Sequence, residues 1–557
     1  VTDEPNKYTD KEVFAKNSFI YHRKDLIKVQ KEFSEINSTT VIIYDQGCAA
    51  EKRRKRKRLL LPEPKRKIFI NDLVCEGCGD CGIKSNCVSI LPLETEFGRK
   101  RQIDQSNCNK DFSCTDGFCP SFVSLIGEVN TKKHIDNLMV SNLQENLVDP
   151  ILPEINKFYG VMITGIGGTG IVSMGALLAT AALIDGRGAG VLDMTGLAQK
   201  GGAVKSFLRI FERLEEISTV RLSYNDTDLL LGCDLLVSND EDVLLTLQKT
   251  KSKAIINSDE VLTGEFTRNP DLSIPSDKIQ ENFIDIVGKN NVNFIPTATI
   301  VKKILGEDIP SNMFVVGYAY QAGLIPIKAS SIEQAIRLNN VSVDFNLGAF
   351  RLGRQTFLKK ENIYKLVKSS EIENDSEKLS LNFDEKVSRR YEYLIKYQNE
   401  RYAKKYIELI DIVKLYEKKL KIKKKSLSNA VTLNYFKLMA YKDEYEVSRL
   451  YTDPQFKKKI SESFEGNFKI YLHLAPPLFS KKNSATGEPE KIKIGPWLFH
   501  LMKIIASLKF LRGTIFDPFG HLKERKNERK LIKNYHDRII EITSKLKLSN
   551  YETACQI

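Results

Sequence analysis

Between residues 157 and 365, short apolar runs alternate with longer stretches in which apolar residues recur at helical spacing. The run at 161–164 is a predicted strand, and residues 171–183 are a predicted apolar helix. Further strands are predicted at 190–193, 206–210, 234–237 and 254–256, and further helices at 297–304 and 332–338. The alternation predicts a Rossmann-like α/β region with a mostly parallel sheet, within an α/β multidomain chain.

From about residue 385 the pattern changes to long, charged amphipathic helices. They are predicted at 388–413, 431–450, 497–508 and 524–546. The stretches at 474–477 and 511–520 are dense in proline or glycine and therefore predict loops. We expect residues 375–557 to form a mainly α-helical domain that is truncated at its end.

Residues 1–65 contain too few elements for a core of their own. The spacing predicts a helix at 25–33 and a buried strand at 40–44. The basic run at 51–58 is typical of a nuclear signal or a nucleic-acid patch, but a solvated connector whose charges repel one another is the better interpretation. We expect this stretch to be the end of a domain whose body is absent.

The composition is that of an ordinary soluble globular protein of three or four domains. Of its 557 residues, 42% are hydrophobic and 28% are charged, and no apolar run is long enough to span a bilayer. We expect a cytoplasmic protein without a membrane partner, and a fragment, since the chain begins with Val1. The net charge of +14 suits nucleic acid, acidic proteins or anionic cofactors equally.

Seven of the ten cysteines lie within one short segment, residues 75–119, which we call the cysteine segment. They are Cys75, Cys78, Cys81, Cys87, Cys108, Cys114 and Cys119. The first three form C-x2-C-x2-C, the spacing of iron–sulfur ligands, whereas zinc sites more often use separated C-x2-C pairs. Zinc is therefore the second choice, and disulfides are third because cysteines so close on a tight loop seldom pair with one another.

The ligand set of an iron–sulfur cluster stays open between two choices. In two-cluster bacterial ferredoxins, the cysteine before a proline binds the other cluster, which favours Cys75, Cys78, Cys81 and Cys119 for one [4Fe–4S] cluster. The simpler set replaces Cys119 by Cys87. We expect one cluster, and a second one would need a ligand other than cysteine.

A second motif follows the strand at 161–164. Residues 165–170, the glycine loop, read Gly-Ile-Gly-Gly-Thr-Gly, and its candidate contacts are Gly165, Gly167, Gly168, Thr169 and Gly170. Such a loop between strand and helix either packs the two together or binds a phosphate at the helix N-terminus. Asp193 stands near the position of a ribose-binding acid, but Gln199 and Lys200 in a second glycine-rich stretch depart from the dinucleotide pattern. NAD is therefore the least favoured ligand.

Five ordered motifs resemble one family over nearly the whole chain. They are Asp-Gln-Gly-Cys-Ala-Ala-Glu-Lys-Arg-Arg, Cys-Glu-Gly-Cys-Gly-Asp-Cys, Gly-Ile-Gly-Gly-Thr-Gly, Gly-Leu-Ala-Gln-Lys-Gly-Gly-Ala-Val, and Lys-Asp-Glu-Tyr-Glu-Val at 442–447. In this order they resemble the C-terminal half of fused indolepyruvate ferredoxin oxidoreductases. The resemblance implies oxidative decarboxylation of an aryl pyruvate to aryl-acetyl-CoA and CO2, with electrons passing through one or two [4Fe–4S] clusters to ferredoxin.

The resemblance also implies a domain order and cofactors. Residues 1–65 would end a thiamine diphosphate-binding domain, 66–130 form a ferredoxin-type domain, 157–365 form the family's gamma domain, and 375–557 form its helical domain. Thiamine diphosphate with Mg²⁺ and coenzyme A would serve the full enzyme, which is expected to be a homo-oligomer. The chain has no acidic thiamine-type metal motif, so it should be inactive without a thiamine-binding half.

No set of residues predicts a catalytic site, because no Ser/His/Asp or paired-carboxylate arrangement stands out. Two other functions compete with the oxidoreductase. An NAD(P)-dependent dehydrogenase would bind its cofactor at residues 165–170, and a zinc-dependent nucleic-acid-binding module would use the cysteines and the basic run at 51–58. The basic run lacks interleaved aromatic residues, so no specific nucleic acid is expected.

Overall fold

The computed structural model describes nine ranges of the chain. They are residues 1–8, 14–15, 17–132, 147–196, 202–262, 264–369, 377–422, 426–476 and 491–556. The chain divides into two compact units: residues 1–64 with 109–112, and residues 65–108 with 113–557. No helix within the described ranges is both long and apolar enough to cross a membrane.

The first unit contains two short helices, Leu26–Ser34 and Ala49–Lys57. The prediction of a strand at 40–44 is wrong: no strand forms there, and the contact nearby is a single bridge between Thr2 and Asp45. An apolar run becomes a strand only where a partner strand satisfies its backbone. The basic run lies in helix Ala49–Lys57, and Lys52 is paired with Asp3 at 2.9 Å.

A six-stranded mixed sheet forms the centre of the α/β region, residues 159–369. In spatial order its strands are Val292–Ile295, Lys253–Asn257, Leu229–Gly232, Tyr159–Ile166, Ala203–Phe211 and Gly188–Thr195. The first four strands are parallel, and the last two pairings are antiparallel. The sheet is therefore mostly parallel, as the alternation predicts. Residues 234–237 are an exception: they are helical over Leu235–Ser238, because Asp234 caps that turn by accepting from the Val237 N–H at 2.9 Å.

Helices cover both faces of this sheet. They are Ile171–Ile184, Leu235–Ser238, Glu241–Leu244, Ser276–Val287, Thr297–Leu305, Ser311–Gln321, Ala329–Asn339, Val343–Leu358 and Lys360–Ser369. Two of them approach closely, since a Cβ on Gly317 would lie 1.9 Å from the Phe350 carbonyl oxygen. One buried cluster joins strand Tyr159–Ile166 to helix Ile171–Ile184 through Ile163 and Leu178. This packing fixes the geometry of the glycine loop.

A second, four-stranded antiparallel sheet joins distant parts of the chain. Its strands, in spatial order, are Arg66–Ile70, Phe122–Gly127, Phe468–Leu474 and Ile492–Ile494. Ser124 of the second strand lies opposite Tyr471 of the third. A hairpin of Ile90–Leu93 and Lys100–Ile103 lies between the first two strands in sequence. The strands before and after the cysteine segment thus share one sheet with two strands from the last hundred residues.

The remaining helices are Asp80–Ser85, Phe383–Tyr397, Glu400–Lys419, Ser426–Met439, Glu444–Thr452, Pro454–Ser463, Leu498–Ser507, Lys523–Ser544 and Tyr551–Gln556. Two predicted helices are each divided in two. The break at 398–399 is set by Asn399, whose side chain accepts from the Tyr402 N–H, and the break at 440–443 is set by Asp443, which accepts from the Glu446 N–H. Each capping residue starts a new helix inside one continuous amphipathic pattern.

Candidate functional site

The two ends of the cysteine segment meet because the strands that flank it pair. Strands Arg66–Ile70 and Phe122–Gly127 are antiparallel, and Ile70 lies opposite Phe122. Asn71 extends this pairing by donating its N–H to the Ser121 carbonyl oxygen at 2.9 Å. The Asn71 backbone carbonyl oxygen accepts from the Cys75 N–H at 3.0 Å. These bonds bring Cys75 toward Cys119, although 43 positions separate them along the chain.

Two glycines let the loop from Cys75 to Cys81 fold tightly. Gly77 and Gly79 have φ values of 69° and 82°, in the left-handed region that residues with a side chain rarely adopt. A Cβ on Gly77 would lie 2.1 Å from the Arg99 carbonyl oxygen, so a side chain there would force the backbone apart. Gly79 starts the short helix Asp80–Ser85, which carries Cys81. The glycines are therefore required by the loop itself.

Four thiols converge at this site. Cys75, Cys81 and Cys119 are buried, and Cys78 is exposed. Burial, together with the neighbouring Cys75, Cys119 and Cys78, raises the pKa of Cys81 to about 12. Burial and the proximity of Cys75 likewise raise the pKa of Cys119 to about 12. The structure thus brings together Cys75, Cys78, Cys81 and Cys119, one of the two predicted ligand sets.

Hydrogen-bond donors point at two of these sulfurs. The Gly77 N–H donates to the Cys75 sulfur at 3.4 Å, and the backbone of Arg101 also hydrogen-bonds that sulfur. The Cys119 sulfur lies 3.0 Å from the Ser121 hydroxyl oxygen and also interacts with the Ser121 backbone. Such bonds stabilise the thiolate form of cysteine and tune the electronics of a bound cluster.

Three cations that the sequence analysis did not single out lie near the thiols: Lys100 and Arg101 are buried, and Lys491 is half-buried. Lys100 and Arg101 lie on strand Lys100–Ile103, and Lys491 donates to the Cys119 carbonyl oxygen at 3.2 Å. Burial lowers the pKa of all three. The signal available in the sequence was the run Arg-Lys-Arg at 99–101 between two cysteines. A positive environment of this kind suits an anionic ligand.

Four thiol donors beside a buried cation are the type of ligand set that iron–sulfur clusters use. Among the described residues, no group of three or more His, Cys, Asp or Glu side chains is arranged so that it could hold one metal ion. The ligands of one zinc ion lie within about 4 Å of one another. A [4Fe–4S] cluster binds each thiolate to a different iron, so its ligands enclose a wider space. Arg101 Nη1 is buried there without a hydrogen-bond partner within the described residues, which an anionic group would supply.

The other three cysteines of the segment lie in different surroundings. Cys114 is buried on the 3-10 helix Ser113–Asp116, and its thiol acts electrostatically on Arg66 and Lys491. Cys87 and Cys108 are half-buried. Cys114 therefore lies on the same positively charged side of the segment as Lys491.

The motif at 442–447 supports the cysteine loop structurally. Each of its polar residues has a partner: Asp443 forms a two-point pair with the buried Arg512, and Glu446 forms one with Arg449. Lys442 lies 3.8 Å from Glu76, which sits between Cys75 and Cys78. Lys442 thus joins the motif to the cysteine loop, while Asp443 and Glu446 pair with arginines of the helical region.

The glycine loop uses several of its groups internally. A Cβ on Gly165 would lie 2.4 Å from Ile171 Cδ1, so that glycine is needed for packing helix on strand. The Gly167 N–H donates to the Gly202 carbonyl oxygen at 2.7 Å, and Asn312 Nδ2 donates to the Thr169 carbonyl oxygen at 2.9 Å. Gly168 and Gly170 have φ values of 88° and 98°, and both are exposed. The exposed tip remains accessible to a ligand.

The order of strands differs from that of a dinucleotide-binding unit. There, the strand with the ribose-binding acid lies beside the first strand. Here, strand Ala203–Phe211 separates Gly188–Thr195, which carries Asp193, from Tyr159–Ile166. Asp193 is therefore one strand further from the glycine loop than the sequence suggested. Gln199 and Lys200, the other predicted contacts, lie outside the described residues.

Two family models match separate parts of the chain. Residues 160–356 match the pyruvate ferredoxin/flavodoxin oxidoreductase family, and residues 383–557 match a family of unknown function, DUF6537. The indolepyruvate oxidoreductase subunit IorB of Methanothermobacter thermautotrophicus is 27% identical over 199 residues, 35% of this chain and 95% of that protein. The IorB subunit of Archaeoglobus fulgidus is 25% identical over 199 residues, 35% of this chain and 92% of that protein.

Solved structures of oxidoreductase subunits also align with part of the chain. A pyruvate oxidoreductase subunit from Thermotoga maritima is 20% identical, with a TM-score of 0.26, over 36% of this chain and 97% of that one. The gamma subunit of a keto/oxoacid ferredoxin oxidoreductase from Geobacter sulfurreducens is also 20% identical, with a TM-score of 0.26, over 36% of this chain and 98% of that one.

Proposed function

Because the chain belongs to the 2-oxoacid:ferredoxin oxidoreductase family, we propose that it is the electron-transferring part of an indolepyruvate-type oxidoreductase. The reaction is the oxidative decarboxylation of an aryl pyruvate to aryl-acetyl-CoA and CO2, with ferredoxin as the electron acceptor. The observation that carries this proposal is the convergence of Cys75, Cys78, Cys81 and Cys119 in a region with buried, unmatched positive charge.

In this proposal the four cysteines hold one [4Fe–4S] cluster, which takes up and releases one electron at a time. The chain's own residues prepare the site. The Gly77 and Arg101 backbone groups hydrogen-bond Cys75, and Ser121 hydrogen-bonds Cys119, so two of the four thiolates are stabilised. Burial of three of the cysteines excludes water from most of the site, while the exposed Cys78 marks the side from which electrons can leave.

Metal analysis of the anaerobically purified protein tests the proposal. We expect about four irons and about four acid-labile sulfides per chain, and an electron paramagnetic resonance signal after reduction with dithionite. About eight of each would instead indicate two clusters, with Cys87, Cys108 and Cys114 among the ligands of the second. Zinc without sulfide would refute the proposal and favour the zinc-dependent alternative.

The thiamine diphosphate and Mg²⁺ of the reaction would be supplied by a partner subunit or segment. The relatives named above are subunits, which supports the presence of partners. We expect reduction of ferredoxin by indolepyruvate only after the chain is combined with its thiamine-binding partner. An equal rate with pyruvate would contradict the aryl substrate. A rate that does not fall with rising salt would contradict docking of an acidic ferredoxin on this basic chain.

The exposed tip of the glycine loop is the proposed contact for the phosphates of coenzyme A. Gly168 and Gly170 present a left-handed turn at the start of the 14-residue helix Ile171–Ile184, whose N-terminus favours anions. Gly168→Asp adds a negative charge at the tip, and Gly168→Asn is its neutral control of similar shape, since both residues tolerate a left-handed backbone.

We expect Gly168→Asp to bind coenzyme A at least about tenfold more weakly than Gly168→Asn does, because the added carboxylate would repel the phosphates. Pantetheine, which lacks the phosphates, should not distinguish the two variants. Calorimetric titration of the complete protein measures both ligands. Equal affinities of the two variants for coenzyme A would show that the loop only packs the helix on the strand.

A further inference from the structure

Arg101 is a buried cation with one donor nitrogen, Nη1, that has no acceptor within the described residues. Arg101 lies on strand Lys100–Ile103 and is only 2% exposed. Nη2 donates to the Pro270 carbonyl oxygen at 3.1 Å, and the guanidinium carbon lies 4.3 Å from the centre of the Phe266 ring. Nη1 is buried and has no hydrogen-bond partner in the part of the chain that the structure describes. A guanidinium is always charged, so an unpaired buried donor of this kind is costly.

The acidic groups that act most strongly on Arg101 are thiols of the cysteine segment. Cys81 and Cys75 affect it more than Asp271, the carboxylate among its neighbours, and Arg99 opposes them. The backbone of the same residue hydrogen-bonds the Cys75 sulfur. Arg101 therefore contributes to the site twice, through its backbone and through its charge.

The other two cations near the thiols, the buried Lys100 and the half-buried Lys491, are each influenced by two carboxylates. Glu76 and Asp72 act on Lys100, and Asp80 and Asp116 act on Lys491. Asp271 alone plays this part among the main influences on Arg101. The positive charge of Arg101 is therefore offset less by carboxylates than the charges of the two lysines are.

We infer that Arg101 is the counter-charge of a cluster held by Cys75, Cys78, Cys81 and Cys119, and that it favours the reduced state of that cluster. This inference rests on the proposed function. Reduction adds one electron to the site without making or breaking a bond. A fixed positive charge in a buried environment stabilises the more negative state more than the less negative one. Arg101 is a positioning residue in this sense, since it acts through the cluster.

The test compares Arg101→Gln with Arg99→Gln in the complete, anaerobically purified protein. Arg99 is a matched control because it lies on the same side of the hairpin and donates to the same loop, at the Leu272 carbonyl oxygen, 3.0 Å away. Its charge is paired with Glu94 at 2.5 Å. Iron and sulfide are measured first for every variant. Dithionite then supplies the electrons in a potentiometric titration followed by electron paramagnetic resonance.

We expect Arg101→Gln to keep its iron and sulfide and to lower the ratio of reduced to oxidised cluster at a fixed potential by at least about tenfold, equivalent to about 59 mV. Arg99→Gln should change that ratio by less than about twofold, or roughly 18 mV. A loaded Arg101→Gln variant with an unchanged ratio would overturn the inference and leave the proposed function intact. Wild-type protein without iron and sulfide would instead refute the proposed function.

Arg101→Lys covers the case in which Arg101→Gln cannot be loaded. It keeps the positive charge but lacks the planar fork of donors. A loaded Arg101→Lys variant should stay within about threefold of the wild-type ratio, roughly 28 mV. A tenfold fall in this variant would overturn the inference. Failure of both variants to bind iron would also overturn it, because Arg101 would then support the fold rather than the charge of the cluster.

Discussion

The cysteine segment and the glycine loop both carry a dense sequence motif, yet their polar groups are satisfied in different ways. In the glycine loop, Gly167 and Thr169 are hydrogen-bonded by other parts of the chain, and Gly165 is needed for packing. In the cysteine segment, Arg101 keeps an unmatched buried donor beside thiols whose pKa values burial raises. A buried donor that the chain leaves unmatched can be satisfied by a ligand, whereas a motif that satisfies its own groups is also explained by the fold.

The largest effect that would sharpen this comparison is the loss of a cysteine ligand. Cys81→Ala removes a buried thiol from the convergence of four, and we expect iron and sulfide content to fall by more than about tenfold. Cys233→Ala is the control, since Cys233 is a cysteine of the α/β region that contacts Met174 at 3.9 Å. If metal analysis found the full iron content in Cys81→Ala, Cys81 would not be a ligand and the proposed ligand set would be wrong.

A second prediction concerns the buried pair that holds the hairpin of the cysteine segment. Arg390 and Glu96, each with a side chain 2% exposed, form an ion pair between helix Phe383–Tyr397 and the hairpin turn. Arg390→Ala removes the closest cation from the buried Glu96 carboxylate, which keeps Arg389 at 3.8 Å and the Ser380 N–H at 2.7 Å. We therefore expect a loss of about 3 kcal/mol in the free energy of unfolding, the lower end of the range for a broken buried pair. Urea unfolding followed by circular dichroism measures it.

The control for that variant is Lys404→Ala, which breaks an exposed pair with Glu400 on helix Glu400–Lys419. Exposed pairs of this type contribute little to stability, so its unfolding midpoint should match that of the wild type. If Arg390→Ala unfolded at the same urea concentration as the control, the hairpin would not depend on this pair.

Acid should weaken the support beneath the cysteine loop through Glu446. Burial alone would raise the pKa of Glu446, but Arg449 and Lys442 lower it from 4.5 to about 2. The stability from this depressed pKa is fully present above pH 4.5 and is lost as the pH falls toward 2, by about 3 kcal/mol. In Glu446→Gln, which is less stable at neutral pH, this part of the acid dependence should disappear. An unchanged slope of stability against pH in the variant would contradict the assignment.

The smallest expected effect tests the packing role of the glycine loop. In Gly165→Ala the new Cβ would meet Ile171, and we expect a loss of about 1–3 kcal/mol in the free energy of unfolding. The same substitution made in an Ile171→Ala background should cost much less, because the clashing atoms are gone. A double-mutant cycle by urea unfolding compares the two. Equal costs in both backgrounds would show that Gly165 is required for another reason.

In the α/β region the sequence predicted four of the six strands and three of the nine helices described above, those with a clear period of their own. The apolar runs at 161–164 and 254–256 lie in strands Tyr159–Ile166 and Lys253–Asn257. It did not predict the helix at Leu235–Ser238, since four apolar residues have no distinguishable period and the Asp234 cap decides. It also missed the division of the long helices, because Asn399 and Asp443 cap new helices without interrupting the amphipathic pattern.

For the candidate site, the sequence likewise predicted only part of the arrangement. Spacing alone identified Cys75, Cys78 and Cys81, but two choices remained for the fourth ligand. The pairing of Ile70 with Phe122 brings Cys119 to the same place, a long-range contact that no local pattern encodes. Lys491 was missed for the same reason, since it precedes strand Ile492–Ile494, 372 residues after Cys119. Arg101 lies in the basic run at 99–101, but the sequence did not show that its side chain is buried. The spacing of the nearby cysteines could be read from the sequence, but the residues that the fold brings next to them could not.

The four-stranded sheet sets a constraint on synthesis. Ser124 hydrogen-bonds His473 across 349 residues, at 2.7 Å, in the sheet that flanks the cysteine segment. At about 5–20 residues per second, the ribosome needs roughly 20–70 s to make the stretch between them. During that interval the cysteines have already emerged, while the strand that completes their sheet has not. In a nascent chain, strand Phe122–Gly127 would thus lack one of its two neighbouring strands until strand Phe468–Leu474 has been made.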